Sequence, residues 1–403
     1  MNHSPTHQNR TVSKNKPTSQ RWHPSREEDD LIFAVCDRFF SQLGVSYSIT
    51  GSDPETADGE KRGAATAVAS WLKEEWGRPD LTREKIYPLF WEASRRGFLL
   101  LQPPFEQQLS DRLKKHFSLD KHPGEITVVN VAGSNSAEHV TSRAADQIIE
   151  LIDQVYAEKL AKTPPGAPQP EVHLGMGAGY AAMLVAKRMA QRVNSGGECP
   201  PLVLHAISAG GFLINEPHKA PTTYFTYFDQ SLTTVRYVAL FSETVVSSED
   251  YDKLKKNPGI TIPFEQRDDI DIIVTSLAEA DHEHGLLVRY LTSLVEQKLL
   301  DKEHLQKMFD AGWIGDVQFR PYSQNGPLKE VCPVRAVTLF ELDELVRLAR
   351  RQDKHVVLVA GPCGECGHSK VNALKPLLAN EKLRLWSHLV TDAKTARELL
   401  GER

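Results

Sequence analysis

Three short stretches of this chain combine residue types that can do chemistry. In Leu174-Gly175-Met176-Gly177-Ala178-Gly179-Tyr180, three glycines alternate just ahead of a helix-periodic apolar run. Glycines let backbone amides close on an anion, and the N-terminus of the following helix adds about half a positive charge, so this loop can hold a phosphate. The spacing is Gly-x-Gly-x-Gly, and no acid stands about 20 residues further on at the end of a second strand, which argues against a dinucleotide. A plain tight turn is the competing reading.

The second stretch is Gly361-Pro362-Cys363-Gly364-Glu365-Cys366-Gly367-His368-Ser369-Lys370. Cys-x-x-Cys with a nearby His can be half of a zinc site or a redox pair. A closed zinc site needs four ligands, and Cys36, Cys199 and Cys332 are remote in sequence. The expectation is therefore reduced thiols in a glycine-rich loop, with no metal and no cofactor. Lys370 opens the next helix, where the dipole disfavours a cation, so it suits an anionic ligand better than a structural role. The third stretch, Asp281-His282-Glu283-His284, has groups for metal ligation or acid–base work. Four consecutive polar residues cannot all face one site, and a solvated loop is expected.

The elements around these loops alternate. Apolar, β-branched runs at 126–131, 172–174, 202–207, 237–240, 270–274 and 355–360 read as strands. Helical periodicity runs over 144–157, 180–193, 286–299 and 339–350. This predicts an α/β fold with a Rossmann-like, mainly parallel sheet over 121–403, its site at the carboxyl ends of the strands. The 202–207 strand leads into Ser208-Ala209-Gly210-Gly211, so Gly210 and Gly211 join the effector-binding candidates.

The N-terminal third is organised by charge. Residues 1–26 carry Arg10, Lys14, Lys16, Arg21 and Arg26 with no acid, and read as a disordered basic arm. Residues 27–60 are acidic, and 61–117 are basic again. Over 27–104 three helices are expected, on 31–43, 65–76 and 82–96, the last with Ile86, Leu89, Phe90 and Ala93 inward and Thr82 as N-cap. Gly77-Arg78-Pro79-Asp80 separates the second from the third, and Gly97-Phe98-Leu99-Leu100-Leu101 follows. That is the outline of a helix-turn-helix with a wing-like strand, although Pro88 should kink the third helix. Phe105, Leu109, Leu113 and Phe117 recur every four residues, predicting a linker helix over 105–120 that could pair with its own copy.

Composition bounds the rest. With 40 % hydrophobic and 25 % charged residues among 403, wholesale disorder is excluded. A net charge of −5 makes the chain no generic polyanion binder, so nucleic-acid contact would need a local basic patch. No run of about 18 apolar residues predicts a membrane span. Met1-Asn2-His3-Ser4-Pro5 has no apolar core behind it, so a cytoplasmic chain with five reduced cysteines is expected.

Several of these segments resemble the SorC family of sugar-responsive transcriptional regulators. Gly312-Trp313-Ile314-Gly315-Asp316-Val317 with Ser323-Gln324-Asn325-Gly326 is similar to the family's Gly-Asp element before a short hairpin. The run His388-Leu389-Val390-Thr391-Asp392-Ala393-Lys394-Thr395-Ala396-Arg397-Glu398-Leu399-Leu400 resembles its terminal helix. Residues 357–361 and 370–374 resemble the strand, loop and lysine-led helix of the effector site, while 81–86 and 93–98 resemble the recognition helix and its exit.

The resemblance implies a helix-turn-helix joined to a sugar-phosphate-binding domain related to glucosamine-6-phosphate deaminase and ribose-5-phosphate isomerase. It implies a double-stranded DNA operator, read by Thr82, Arg83, Lys85, Arg95 and Arg96, and a phosphorylated sugar effector. Gly175, Gly177, Gly179 and Lys370 would hold the phosphate, and Asp316 the sugar hydroxyls. One recognition helix reads few base pairs, so a homo-oligomer (dimer or tetramer) is expected. No catalytic residue is assigned. The alternatives are a sugar-phosphate isomerase or deaminase with an added helical domain, and a sensor that has lost DNA binding.

Overall fold

The protein is described from a computed structural model, over residues 26–43, 64–96, 98–99, 103–119, 122–131, 136–194, 199–210, 215–229 and 235–402. It divides into two units between Leu101 and Gln102. In the larger unit seven strands lie side by side, all parallel: Glu125–Val129, His388–Asp392, His355–Ala360, Ile272–Glu279, Val172–Met176, Leu202–Ala206 and Val235–Val238. Parallel strands covered on both faces need apolar side chains on both, and the His355–Ala360 run supplies them. Val356, Leu358 and Ala360 pack into one core with Leu345, Leu374, Leu377 and Ala396. Val357 and Val359 pack into the other with Val140, Ile148, Val185 and Met189. The sheet is the middle of three layers.

Two expectations change here. His388–Asp392 is a strand between the first strand and His355–Ala360, and only Ala393–Leu399 is helical. Asp392 makes the switch, its carboxylate accepting from the Thr395 amide at 3.0 Å and the Thr395 hydroxyl at 2.6 Å. The expected linker helix is Gln107–His116, but Leu109 and Leu113 are buried in the core of the larger unit. Leu109 and Leu113 are covered within their own unit, and of the expected four only Phe105 is substantially exposed.

Buried histidines give the larger unit an acid limit. His205 Nε2 lies 2.9 Å from His173 Nδ1, and His355 Nδ1 lies 3.1 Å from His388 Nε2. Burial, with neighbouring positive charge, pushes His205 down to about 3 and His388 to about 4. Below about 6.5 the unfolded chain takes up protons that these folded imidazoles refuse. Each therefore removes roughly 1.4 kcal/mol of stability per pH unit as pH falls from 6.5 toward its folded value. In urea unfolding between pH 4 and 6.5, His205→Gln is expected to show a slope shallower than wild type by that amount; identical slopes would contradict it.

The smaller unit contains helices Arg26–Asp37, Ala64–Glu75 and Arg83–Arg96 around Leu31, Val35, Val68, Leu72, Leu81 and Ile86. The expected basic arm lies outside the described residues except Arg26, which opens the first helix. The 76–82 connection is pinned by Arg78, whose guanidinium donates to both Asp80 carboxylate oxygens at 2.8 and 2.9 Å. Pro88 lies inside a helix that runs on to Arg96 without a break. Its missing amide falls in the second turn, so the helix forgoes one hydrogen bond there. Of the expected wing-like strand only 98–99 are described, and they form a bend. Among the described residues no helix is long and apolar enough to cross a membrane.

Candidate functional site

The central strand Ile272–Glu279 outruns its parallel neighbours. Its end turns to antiparallel pairing with Gly315–Val317, setting Ala278 opposite Asp316 and Glu279 opposite Gly315. Gly315 permits this close approach, since a Cβ there would meet the Tyr322 hydroxyl at 2.7 Å and the Ala278 carbonyl at 2.8 Å. Asp316 is thereby brought to the carboxyl edge of the sheet. A cleft partly open to solvent lies there, with Gly179, Ser276, Asp316, Gln318, Cys363 and Lys370 among its walls.

Strands Gly315–Val317 and Arg320–Ser323 are joined by Gln318 and Phe319 alone, at φ 50° and 61°. A two-residue turn with both residues left-handed favours Asn-Gly, and side chains such as these cost of order 1–3 kcal/mol each. Gln318 is only 6 % exposed, and neither its amide oxygen nor its nitrogen has a hydrogen-bond partner. Strain and an unpaired buried amide meet in one cleft residue. Polar groups so placed are costly unless something fills the cleft.

Asp316 is buried beside it. Burial pushes its carboxyl up to about 7, against the Phe319 amide and the Lys370 ammonium. Lys370 Nζ donates to the Leu277 carbonyl at 3.1 Å, and burial lowers its pKa. Glu279 accepts from the amides of Asn372 and Ala373 at 2.9 and 3.3 Å, at the head of helix Val371–Ala379, and lies 2.6 Å from His368 Nε2. Lys219, also on the wall, joins Glu216 at 2.8 Å and Glu365 at 3.2 Å.

The Asp316 shift makes a stability prediction. From about pH 4 to about 7 the folded chain holds a proton that the unfolded chain has released, so this residue lowers stability by roughly 1.4 kcal/mol per pH unit across that window. Asp316→Asn is expected to remove that loss and to be the more stable chain at pH 8. Denaturation of both chains from pH 4 to 8 measures it, and a constant difference across the window would refute it.

Of the expected effector residues, Gly179, Asp316 and Lys370 meet in the cleft. Gly175 sits inside its strand, where a Cβ would strike Ile207 at 2.7 Å, and Gly210 packs against Thr244. Gly211 lies outside the described residues. The expected phosphate cradle does not form as read. The Gly177 and Gly179 amides already donate to the carbonyls of Val274 and Lys219, each at 2.9 Å. Glu279 and Glu365 stand against Lys219 and Lys370 on the walls, with the Asp316 carboxyl raised by burial, so the cleft has no excess of positive charge.

Sequence reading missed Gln318, Lys219 and Glu279. Gln318 carried a faint signal, two bulky residues where a hairpin turn had to be. The expected solvated loop at 281–284 is also corrected: His282 and His284 are half-buried, and both line the cleft beside Cys363.

In the smaller unit Thr82, Arg83 and Lys85 are exposed at the start of helix Arg83–Arg96. The Thr82 hydroxyl donates to Glu84 at 2.9 Å. The side chains of Arg95 and Arg96 lie outside the described residues.

No family model matches the chain, and no curated protein matches it in sequence. Solved structures do. The full-length sorbitol operon regulator SorC from Klebsiella pneumoniae aligns at TM-score 0.55 and 15 % identity, over 92 % of this chain and 98 % of that one. A domain of a possible sugar-binding transcriptional regulator from Arthrobacter aurescens gives 0.54 and 15 %, over 73 % and 97 %. A DeoR family transcriptional regulator from Listeria monocytogenes gives 0.51 and 15 %, over 72 % and 98 %. The resemblance read in the sequence therefore holds at the level of structure: the chain has the fold of SorC-type sugar-binding transcriptional regulators.

Proposed function

We propose that this chain is an effector-responsive, DNA-binding transcriptional regulator whose cleft takes a hydroxyl-rich, sugar-like ligand. The observation that carries the ligand class is Gln318, a buried, unpaired amide held in a strained turn beside Asp316 and Lys370. Sugar hydroxyls both donate and accept, as the two ends of that amide require. The walls carry no excess of positive charge, so they give a phosphate no advantage over the uncharged sugar. The match to the full-length sorbitol operon regulator supports the DNA-binding half. Arg83 and Lys85 would meet DNA phosphates from the first turn of their helix, in a symmetric homo-oligomer on paired half-sites.

The test is a gel shift of the full chain on its own upstream DNA, with and without a panel of free and phosphorylated sugars. A DNA complex that responds to a free sugar supports the reading. Sugar binding without any DNA complex would leave a sensor acting through protein contacts.

An acid–base enzyme acting on the same sugars is the second reading, favoured by the Asp316 carboxyl near 7 in a cleft. Chemical change of a panel sugar, lost in Asp316→Asn, would establish it in place of the regulator.

A further inference from the structure

Two half-sites that are remote in sequence meet at the cleft wall. Strands Ile272–Glu279 and His355–Ala360 are parallel neighbours, so the loops leaving their carboxyl ends run side by side. The first loop carries His282 and His284, the second Cys363 and Cys366. One ligand atom from each of the four lies within 4.8 Å of every other, and His282 Nε2 is 3.2 Å from Cys366 Sγ. We propose that His282, His284, Cys363 and Cys366 form a closed tetrahedral zinc site that ties these two loops together at the cleft wall.

The donor set selects the ion. Two thiolates and two imidazoles suit zinc, whereas calcium and magnesium want oxygen ligands. Zn–S of about 2.3 Å and Zn–N of about 2.0–2.1 Å, at tetrahedral angles, put ligand atoms roughly 3.4–3.8 Å apart. Closing from 4.8 Å requires about an ångström of movement between loops, not a refolding. Four protein ligands fill the coordination sphere, which is the structural rather than the catalytic pattern. On binding, the two thiols release their protons to solvent.

The surroundings fit. The second loop is closed on itself, the Cys363 amide donating to the His368 carbonyl at 2.8 Å and the Gly367 amide to the Cys363 carbonyl at 2.9 Å. Gly367 makes the reversal at φ 71°, a conformation that suits glycine. The His284 ring lies between two carboxylates, Glu365 at 3.0 Å from Nδ1 and exposed Glu283 at 3.5 Å from Nε2, and Lys219 holds Glu365 at 3.2 Å, so Glu283 must swing aside for Nε2 to take the metal. A carboxylate behind a ligating imidazole is the usual support of such sites. His368 stacks on His282, with ring centroids 4.6 Å apart and planes 12° off parallel. The inference concerns the fold of the loops and stands whether or not the cleft takes a sugar.

The full chain is stripped with chelator under reducing conditions and titrated with Co2+, then with Zn2+ in competition. One cobalt per chain is expected, with the intense visible bands of a tetrahedral ion and a thiolate-to-metal charge-transfer band, both abolished by one equivalent of zinc. Cys366 is exposed, so Cys366→Ser keeps the fold, checked by circular dichroism, and is expected to lose about half of the charge-transfer intensity, one of the two thiolates remaining. His282→Ala is expected to weaken zinc by more than the roughly 100-fold that supporting residues account for, and Glu365→Gln by about 10-fold with the spectrum retained. An octahedral or thiolate-free cobalt spectrum overturns the proposal, as does a wild-type spectrum in the Cys366→Ser chain.

Discussion

Replacing Arg83, Lys85, Arg95 and Arg96 together by Ala is expected to abolish operator binding while the chain stays folded. Arg83 and Lys85 are exposed, whereas the residues that hold this helix in place are Ile86 and Ala93, untouched by the change. Each phosphate neutralised contributes about 0.9 to the slope of log affinity against log salt. Four contacts per subunit thus give a slope of roughly 3.6, or about 100-fold in affinity between 50 and 200 mM salt, and a symmetric dimer squares that. Fluorescence anisotropy on the chain's own upstream DNA at several salt concentrations reads both quantities. A quadruple variant with wild-type affinity and slope would take DNA recognition away from this helix.

The sheet was readable because its strands are covered on both faces. His355–Ala360 needs an apolar side chain at nearly every position, and such a run stands out without any periodicity. His388–Asp392 escaped for the opposite reason. It passes into helix Ala393–Leu399 with no glycine or proline between them, and the cap is Asp392, whose role depends on the Thr395 contacts. The four-residue periodicity of 105–117 was read correctly as a helix. Amphipathicity names a face but not its partner, and the partner here is the sheet of the same unit.

The site was legible in pieces. Gly179 and Lys370 each stand just ahead of a helix that follows a parallel strand, and such junctions converge at one edge of the sheet, where the short strand Gly315–Val317 adds Asp316. What those groups do there was not legible, because the Gly177 and Gly179 amides were claimed by carbonyls from distant segments. The histidine and cysteine pairs were both noticed and both set aside. His282 and Cys366 are 84 residues apart, and only the adjacency of strands Ile272–Glu279 and His355–Ala360 brings them together. Strand order is what periodicity cannot give.

Gln318 connects stability with function in opposite directions, and Gln318→Leu should separate them. Leaving a buried amide unpaired costs about 1–3 kcal/mol, so an apolar side chain of similar size is expected to make the ligand-free chain more stable by an amount in that range. The left-handed backbone at Gln318 is the same for both residues and cancels in the comparison. With ligand the sign reverses. The sugar that releases or recruits the wild-type chain on DNA loses its hydrogen bonds to the amide and leaves its own hydroxyls unpaired in the cleft, weakening binding roughly 10- to 100-fold. Calorimetric titration gives the second number and denaturant unfolding without sugar the first. A more stable, weaker-binding variant identifies Gln318 as a ligand contact held at a cost to the fold. A less stable variant with unchanged affinity would show that Gln318 supports the hairpin and that the sugar lies elsewhere in the cleft.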